Sequence, residues 1–133
     1  MRPERIIETC LYVDDLDAAE SFYTRVLGLK VFAKVPERHV FFRCGQGMCL
    51  LFNAAATAKG ETPGIPAHGA DGPGHAAFAM AEADVEAWRE QFEREGVEIE
   101  SEYTWPNGGR SLYFRDPAGN SLELTTPRTW NLR

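Results

Sequence analysis

Residues 110–126 have the sequence RSLYFRDPAGNSLELTT, which predicts a β-hairpin. The apolar residues at 112–114 suit one strand, residues 121–125 suit the returning strand, and DPAGN between them is typical of a turn. Glu123 is unusual because it lies between Leu122 and Leu124 in the second strand. A buried carboxylate is costly unless it is paired or binds a metal. Two interpretations stay open: Glu123 belongs to a site, or it points to water while both leucines point to the core.

The composition limits the classes of protein that this chain can belong to. Its 133 residues suit one domain with a substantial core, and its net charge of −6 argues against a nucleic-acid partner. No apolar segment is long enough for a membrane span and residues 1–8 lack a signal-peptide pattern, so we expect a cytoplasmic protein. Cys10, Cys44 and Cys49 form no C-x-x-C pair, and we expect reduced thiols.

The same order of elements is predicted twice along the chain. Each half contains a strand, a helix and three more strands: residues 6–13, 16–27, 29–33, 39–44 and 48–53, then 75–80, 83–95, 97–102 and the hairpin. Gly28 and Gly96 end the helices, Asp15 or Asp17 is a candidate cap for the first helix, and Asp84 for the second.

An internal repeat of this kind predicts the domain organisation. The repeats are residues 4–53 and 74–126, joined by an Ala-, Gly- and Pro-rich connection over 54–73 that we predict to be irregular. One repeat is too small to close its own core, so two four-stranded sheets are expected to curl together with a cup between them. The sequence therefore predicts a single α+β domain.

The repeat gives Glu123 two candidate partners. Glu8 and His75 occupy equivalent positions near the start of the first strand of each half, while the first-half counterpart of Glu123 is Leu51 or a residue next to it. Three potential ligands are thus expected on the concave faces. Carboxylates and imidazole together suit a divalent Mn, Fe, Ni, Co or Zn ion, and three ligands leave positions for water or a small-molecule substrate.

Three segments resemble the vicinal oxygen chelate superfamily: VDDLDAAESFYTRVLGL at 13–29, GHAAFAM at 74–80 and FRDPAGNSLEL at 114–124. That group includes glyoxalase I, bleomycin-resistance proteins, fosfomycin-resistance transferases and extradiol dioxygenases. The resemblance covers nearly the whole chain. It implies two pseudosymmetric βαβββ modules that form a cupped mixed sheet, the glyoxalase-like fold, and a homodimer.

The resemblance also implies a site. The superfamily's metal ligands fall on Glu8, His75 and Glu123, although position 8 is commonly His. The fourth ligand of glyoxalase I falls on a Leu, which weakens a glyoxalase assignment. The departure at Glu8 leaves the identity of the metal open and keeps a metal-free site possible.

Candidate substrate contacts surround these ligands. Alternation puts Ser111 and Tyr113 on the face of Glu123, and in fosfomycin-resistance enzymes the matching positions help to hold the substrate. Cys10 shares a face with Glu8 and either lines the pocket or is an inert core thiol. Trp105 either covers the mouth of the cup or packs beside a turn.

Together these features predict a metal-dependent enzyme that stabilises an enolate or oxyanion of a small oxygen-rich substrate. Glu8 or Glu123 would move a proton in a glyoxalase/lyase-like or dioxygenase-like reaction, although one His and two Glu fit a dioxygenase less well. One alternative is a metal-free bleomycin-resistance-type binding dimer. Another is a regulatory or structural dimer with a vestigial cup.

Overall fold

The computed structural model describes residues 1–60 and 63–133, and its strands form two four-stranded sheets. The sheets have the orders β1-β4-β3-β2 and β5-β8-β7-β6. In each of them the first strand of the repeat pairs in parallel with the last, and the other pairs are antiparallel. The strands are β1 (Glu8–Tyr12), β2 (Lys30–Val35), β3 (His39–Cys44), β4 (Gly47–Phe52), β5 (His75–Ala79), β6 (Ser101–Thr104), β7 (Arg110–Arg115) and β8 (Ser121–Thr125).

One long helix follows the first strand of each repeat. These are α1 (Leu16–Arg25) and α3 (Val85–Arg94); α2 (Ala54–Ala58) and short 3-10 turns at Glu82–Asp84 and Pro127–Trp130 complete the described helices. The Asp15 carboxylate caps α1 by accepting the Ala18 N–H at 2.9 Å. Gly28 and Gly96 follow the two helices with φ of 66° and 68°, conformations that glycine adopts without strain. The α+β arrangement of two βαβββ modules agrees with the sequence prediction.

Three local predictions differ from the structure. Residues 54–58 were expected to be irregular but form α2, because the Asn53 side chain caps this helix by accepting the Ala56 N–H at 3.1 Å. Asp84 occupies the N-cap position of α3 without a side-chain capping bond to any described residue. The strand predicted at 97–102 begins at Ser101, where pairing with β7 starts. Residues 61 and 62 of the predicted connection lie outside the described residues.

A single hydrophobic core joins the two modules. Phe22 of α1 stacks on Phe114 of β7 with ring centroids 6.3 Å apart, and Phe92 of α3 packs on the same ring at 4.6 Å. Tyr23 stacks on Phe42 of β3 at 5.7 Å. Each buried aromatic ring contributes about 1.5–3 kcal/mol of transfer free energy. Because α1 contacts strands of both sheets, the two repeats fold as one unit.

A buried polar network also crosses between the modules. The Tyr23 hydroxyl donates to Asp116 Oδ2 at 2.9 Å, and Asp116 Oδ1 accepts the Asn120 N–H at 2.8 Å. The Asn120 amide donates to the Tyr12 carbonyl at 3.0 Å and accepts the Gly74 N–H at 2.7 Å. The hairpin turn at 116–120 therefore ties α1, β1 and the start of β5 together.

The face of each sheet opposite the helices is its cup face. Leu11 lies in the core, so alternation puts Glu8, Cys10 and Tyr12 on the cup face of the first sheet. Leu122 and Leu124 lie in the core and put Glu123 on the cup face of the second. In the part of the chain that the structure describes, no helix is both long and apolar enough to cross a membrane.

Candidate functional site

Glu123 is a buried carboxylate on the cup face of β8. Its residue is 7% exposed, and the flanking Leu122 and Leu124 are 0% and 1% exposed in the core. The interpretation in which Glu123 points to water is therefore wrong. Burial of the carboxylate requires compensating hydrogen bonds or a cation.

One oxygen of this carboxylate is held by the protein. The Ser111 hydroxyl donates to Glu123 Oε1 at 2.5 Å, and Ser111 itself is 0% exposed. Trp105 Nε1–H donates to the same hydroxyl oxygen at 2.8 Å, and the Thr125 hydroxyl lies 2.9 Å from it. Register explains this proximity, because Ser111 of β7 pairs with Thr125 of β8, two residues from Glu123.

The other oxygen faces His75 of the neighbouring strand β5. His75 Nε2 lies 3.4 Å from Glu123 Oε2, and His75 Nδ1 lies 2.9 Å from the Ser121 carbonyl oxygen. A carbonyl only accepts, so Nδ1 bears the hydrogen and Nε2 of the neutral ring presents its lone pair to the carboxylate. Two electron-pair donors are stable at this distance only with a cation between them, either a proton on Nε2 or a metal ion. The imidazole and carboxylate pair therefore fits a divalent metal.

Tyr113 lies on the same cup face, directly across the β7–β8 pair from Glu123. Its ring is 6.5 Å from that of His75. Burial, and next the negative charge of Glu123, raise the pKa of Tyr113 above its ordinary value of 10. Its hydroxyl is therefore a hydrogen-bond donor at neutral pH.

Glu8 lies in the other sheet, exposed on edge strand β1, where it pairs with Met48. Glu8 and His75 both line a cavity of about 460 Å³ where β1 lies beside β5. Even so, no three His, Cys, Asp or Glu side chains group as metal ligands within residues 1–60 and 63–133. Of the predicted ligand set, His75 and Glu123 are therefore in contact, whereas Glu8 lines the cavity beside His75 without completing a three-ligand group in the described part of the chain.

The predicted substrate contacts have different environments. Cys10 is exposed as a residue, but its sulfur is partly buried. This partial burial, and next the Glu8 carboxylate, raise the pKa of the thiol, which keeps it protonated. Trp105 packs edge-on against Tyr103 with ring centroids 4.9 Å apart. The sequence predicts a substrate contact for Ser111, but in the structure its buried hydroxyl bonds to protein atoms. The Trp105–Ser111 bond does not follow from strand alternation.

Sequence reasoning assigned no chemistry to an aromatic cluster on the first cup face. The Tyr12 hydroxyl lies 2.6 Å from His68 Nδ1, and Phe52 packs edge-on against the His68 ring at 4.7 Å. His39 stacks on Phe41 at 4.0 Å beside Phe52. Tyr12 could have been found from its spacing, since it follows Glu8 and Cys10 at every second position of β1.

Comparisons with known proteins agree with this fold. The family model of the Glyoxalase/Bleomycin resistance protein/Dioxygenase superfamily matches residues 5–124, and the chain belongs to that superfamily. The crystal structure of lactoylglutathione lyase from Agrobacterium tumefaciens superposes with a TM-score of 0.94 and 44% identity, covering 99% of this chain and 100% of the other. The glyoxalase-like fold is thereby confirmed.

Two curated proteins are also similar. Glutathione transferase FosA of Serratia marcescens is 32% identical over 118 residues, covering 86% of this chain and 74% of FosA. Metallothiol transferase FosB of Bacillus licheniformis is 31% identical over 115 residues, covering 86% of this chain and 70% of FosB. These relatives are named for transfer reactions, whereas the solved structure is named for a lyase.

Proposed function

We propose that this protein is a metal-dependent enzyme of the vicinal oxygen chelate type that acts on a small oxygen-rich substrate. The observation that supports it most is the pair of facing donors, His75 Nε2 and Glu123 Oε2, at 3.4 Å. A metal ion between these two atoms would be bound by both of them, since imidazole and carboxylate are common ligands of divalent metals. The names of the similar proteins, two transferases and a lyase, support an enzyme without selecting one reaction.

The proposed ligands are His75 and Glu123 of one protomer and Glu8 of a second protomer in a homodimer. Glu8 occupies the position equivalent to His75 in the repeat, but within residues 1–60 and 63–133 it does not complete a three-ligand group with His75 and Glu123. Apolar side chains near the start of β1 and along β2 support a dimer, because the isolated chain leaves them in water. They are Ile6 (84% exposed), Ile7 (61%), Val31 (39%), Phe32 (55%) and Val35 (45%).

The site residues divide the proposed chemistry between them. A bound divalent ion would supply Lewis-acid stabilisation of negative charge on substrate oxygens. Glu123 is buried and bonded to Ser111, so it acts as a fixed ligand. Glu8 is exposed and is the carboxylate able to detach and transfer a proton. The protonated Tyr113 hydroxyl donates a hydrogen bond to the substrate oxyanion, and Cys10 lies near the Glu8 carboxylate on the same face of β1.

Metal titration of chelator-stripped protein tests this proposal. We expect about one Mn, Fe, Ni, Co or Zn ion per chain by calorimetry and elemental analysis. Binding should be lost in His75→Ala, Glu123→Gln and Glu8→Gln, whereas the exposed Glu98→Gln serves as the matched control. Folded protein that binds none of these metals would overturn the proposal.

A second candidate is a metal-free dimer that sequesters a small molecule. The aromatic cluster of Tyr12, Phe41, Phe52 and His68 favours it, because apolar rings on a cup face suit a planar or apolar ligand. Substitution of His75 would leave ligand binding intact under this alternative. It would abolish binding of an oxygen-chelating ligand under the enzyme proposal.

A further inference from the structure

We propose that Ser111 and Trp105 are positioning residues that fix Glu123 as a single-oxygen metal ligand, and that the indole of Trp105 reports metal binding at that carboxylate. This inference rests on the metal site of the proposed function. It assigns both residues to the carboxylate and not to the substrate.

The chemistry of the three side chains fixes the direction of their hydrogen bonds. An indole N–H only donates and a carboxylate only accepts. The Ser111 hydroxyl, placed between Trp105 Nε1 at 2.8 Å and Glu123 Oε1 at 2.5 Å, must therefore accept from the indole and donate to the carboxylate. Because the Ser111 hydroxyl accepts a hydrogen bond from the indole, its O–H bond is polarised, and this strengthens the hydrogen bond that it donates to Glu123 Oε1.

The buried setting makes this arrangement specific. Ser111 is 0% exposed and Glu123 is 7% exposed, so water has little access to compete for Oε1. With Oε1 bonded to Ser111, only Oε2 remains directed toward His75 Nε2. The carboxylate is thus oriented before a metal arrives. Groups behind a ligand that orient it in this way typically change metal affinity by about 10–100-fold when they are removed.

The turn between β6 and β7 holds the indole in place. The backbone N–H of Trp105 donates to the Gly109 carbonyl at 2.7 Å, and the backbone N–H of Gly108 donates to the Trp105 carbonyl at 2.8 Å. Gly109 is required here because a Cβ at this position would lie 2.5 Å from Thr129 Oγ1. The side chain of Trp105 is therefore positioned by a rigid turn packed on the segment after β8.

Metal affinity of two variants tests the positioning role. We expect Ser111→Ala to weaken Mn²⁺ or Zn²⁺ binding by about 10–100-fold in calorimetry, and Trp105→Phe by a smaller factor, because the serine still donates. Ser21→Ala on the exposed side of α1 and Trp88→Phe on α3 are the matched controls. Wild-type affinity in a folded Ser111→Ala protein would overturn the proposal.

Fluorescence supplies a readout that a purely structural role would not move. Of the tryptophans at 88, 105 and 130, Trp105 is the one bonded to a partner of the candidate ligand. Metal addition should change the emission of wild type and of Trp88→Phe. It should leave the emission of Trp105→Phe unchanged, and that of Ser111→Ala as well, even at metal concentrations that saturate the site.

Indole ¹⁵N NMR of metal-free protein separates this proposal from failure of the metal site. The Trp105 Nε1–H resonance should shift in Glu123→Gln and exchange faster with solvent in Ser111→Ala, whether or not the protein binds metal. If wild type binds no metal but these changes occur, the proposed function is wrong, whereas the inference that Ser111 and Trp105 orient Glu123 is supported. An indole resonance insensitive to both substitutions would overturn the pair.

Discussion

His75 Nε2 and Glu123 Oε2 lie 3.4 Å apart on neighbouring parallel strands, with the Nδ1 atom of His75 held by the Ser121 carbonyl. In the proposed function, this pair is one half of a metal site. The proposal assigns the other half to Glu8 of a second copy of the chain.

Complementation between mutant chains tests whether the site is shared. Homodimers of Glu8→Gln and of His75→Ala should each bind no metal. A heterodimer of the two contains one intact site if Glu8 acts across the interface, so it should bind about one ion per dimer, half the wild-type value. Elemental analysis of doubly tagged, purified heterodimer measures this.

A second heterodimer provides the control. His75→Ala combined with Glu123→Gln should not restore binding, because those two ligands belong to the same protomer. If the first heterodimer also binds nothing while both chains fold and associate, the shared site is excluded.

Tyr113→Phe should weaken the binding of oxalate, a probe with two vicinal oxygens, to metal-loaded protein by about 10–100-fold. The change removes a hydrogen bond to a charged group, which contributes about 1.5–3 kcal/mol. Calorimetry with Tyr103→Phe, an exposed tyrosine of β6, as control measures the effect. Equal affinity in both variants would contradict the proposed role of Tyr113.

Tyr23→Phe should reduce the fall in the free energy of unfolding that wild type shows above pH 10. Burial, and next the Asp116 carboxylate, raise the pKa of Tyr23 above its ordinary value of 10. Above that pH the unfolded chain releases a proton that the folded chain retains, so the free energy of unfolding falls by about 1.4 kcal/mol per pH unit from this residue.

Urea unfolding between pH 8 and 11 measures this slope. At pH 8 the variant should be less stable by about 1 kcal/mol, the contribution of the lost bond to Asp116. An alkaline slope equal to that of wild type would show that Tyr23 does not cause it.

Asn120→Ala should destabilise the fold by about 3 kcal/mol, since its side chain bonds to the Tyr12 carbonyl, the Gly74 N–H and Asp116 and is 1% exposed. The partners that remain buried lose their hydrogen bonds. Gln46→Ala, at an exposed turn, should change stability by less than about 0.5 kcal/mol. Chemical denaturation compares the two, and similar values would contradict the role of the turn in joining the modules.

Much of the fold could be predicted because its signals are local. Alternation around Glu123 and the DPAGN turn specify the hairpin from neighbouring residues alone. The pairing of Ala77 with Glu123 and of Cys10 with Leu50 places the counterpart of Glu123 at Leu50, which agrees with the prediction of Leu51 or a residue next to it. The short helix α2 was missed because its formation depends on the Asn53 cap and on burial of Thr57.

The sequence by itself determined which residues have similar positions, since a repeat and a period of two are properties of the chain. It placed Glu8 and His75 in equivalent strands and Glu123 on a cup face. Only the tertiary structure decided which of them meet: Glu123 contacts His75 and Ser111, whereas Glu8 lies in the other sheet. Glu8 and His75 line one cavity, but Glu8 does not complete a three-ligand group within residues 1–60 and 63–133. Contacts across strands depend on register and on burial, which non-local packing sets.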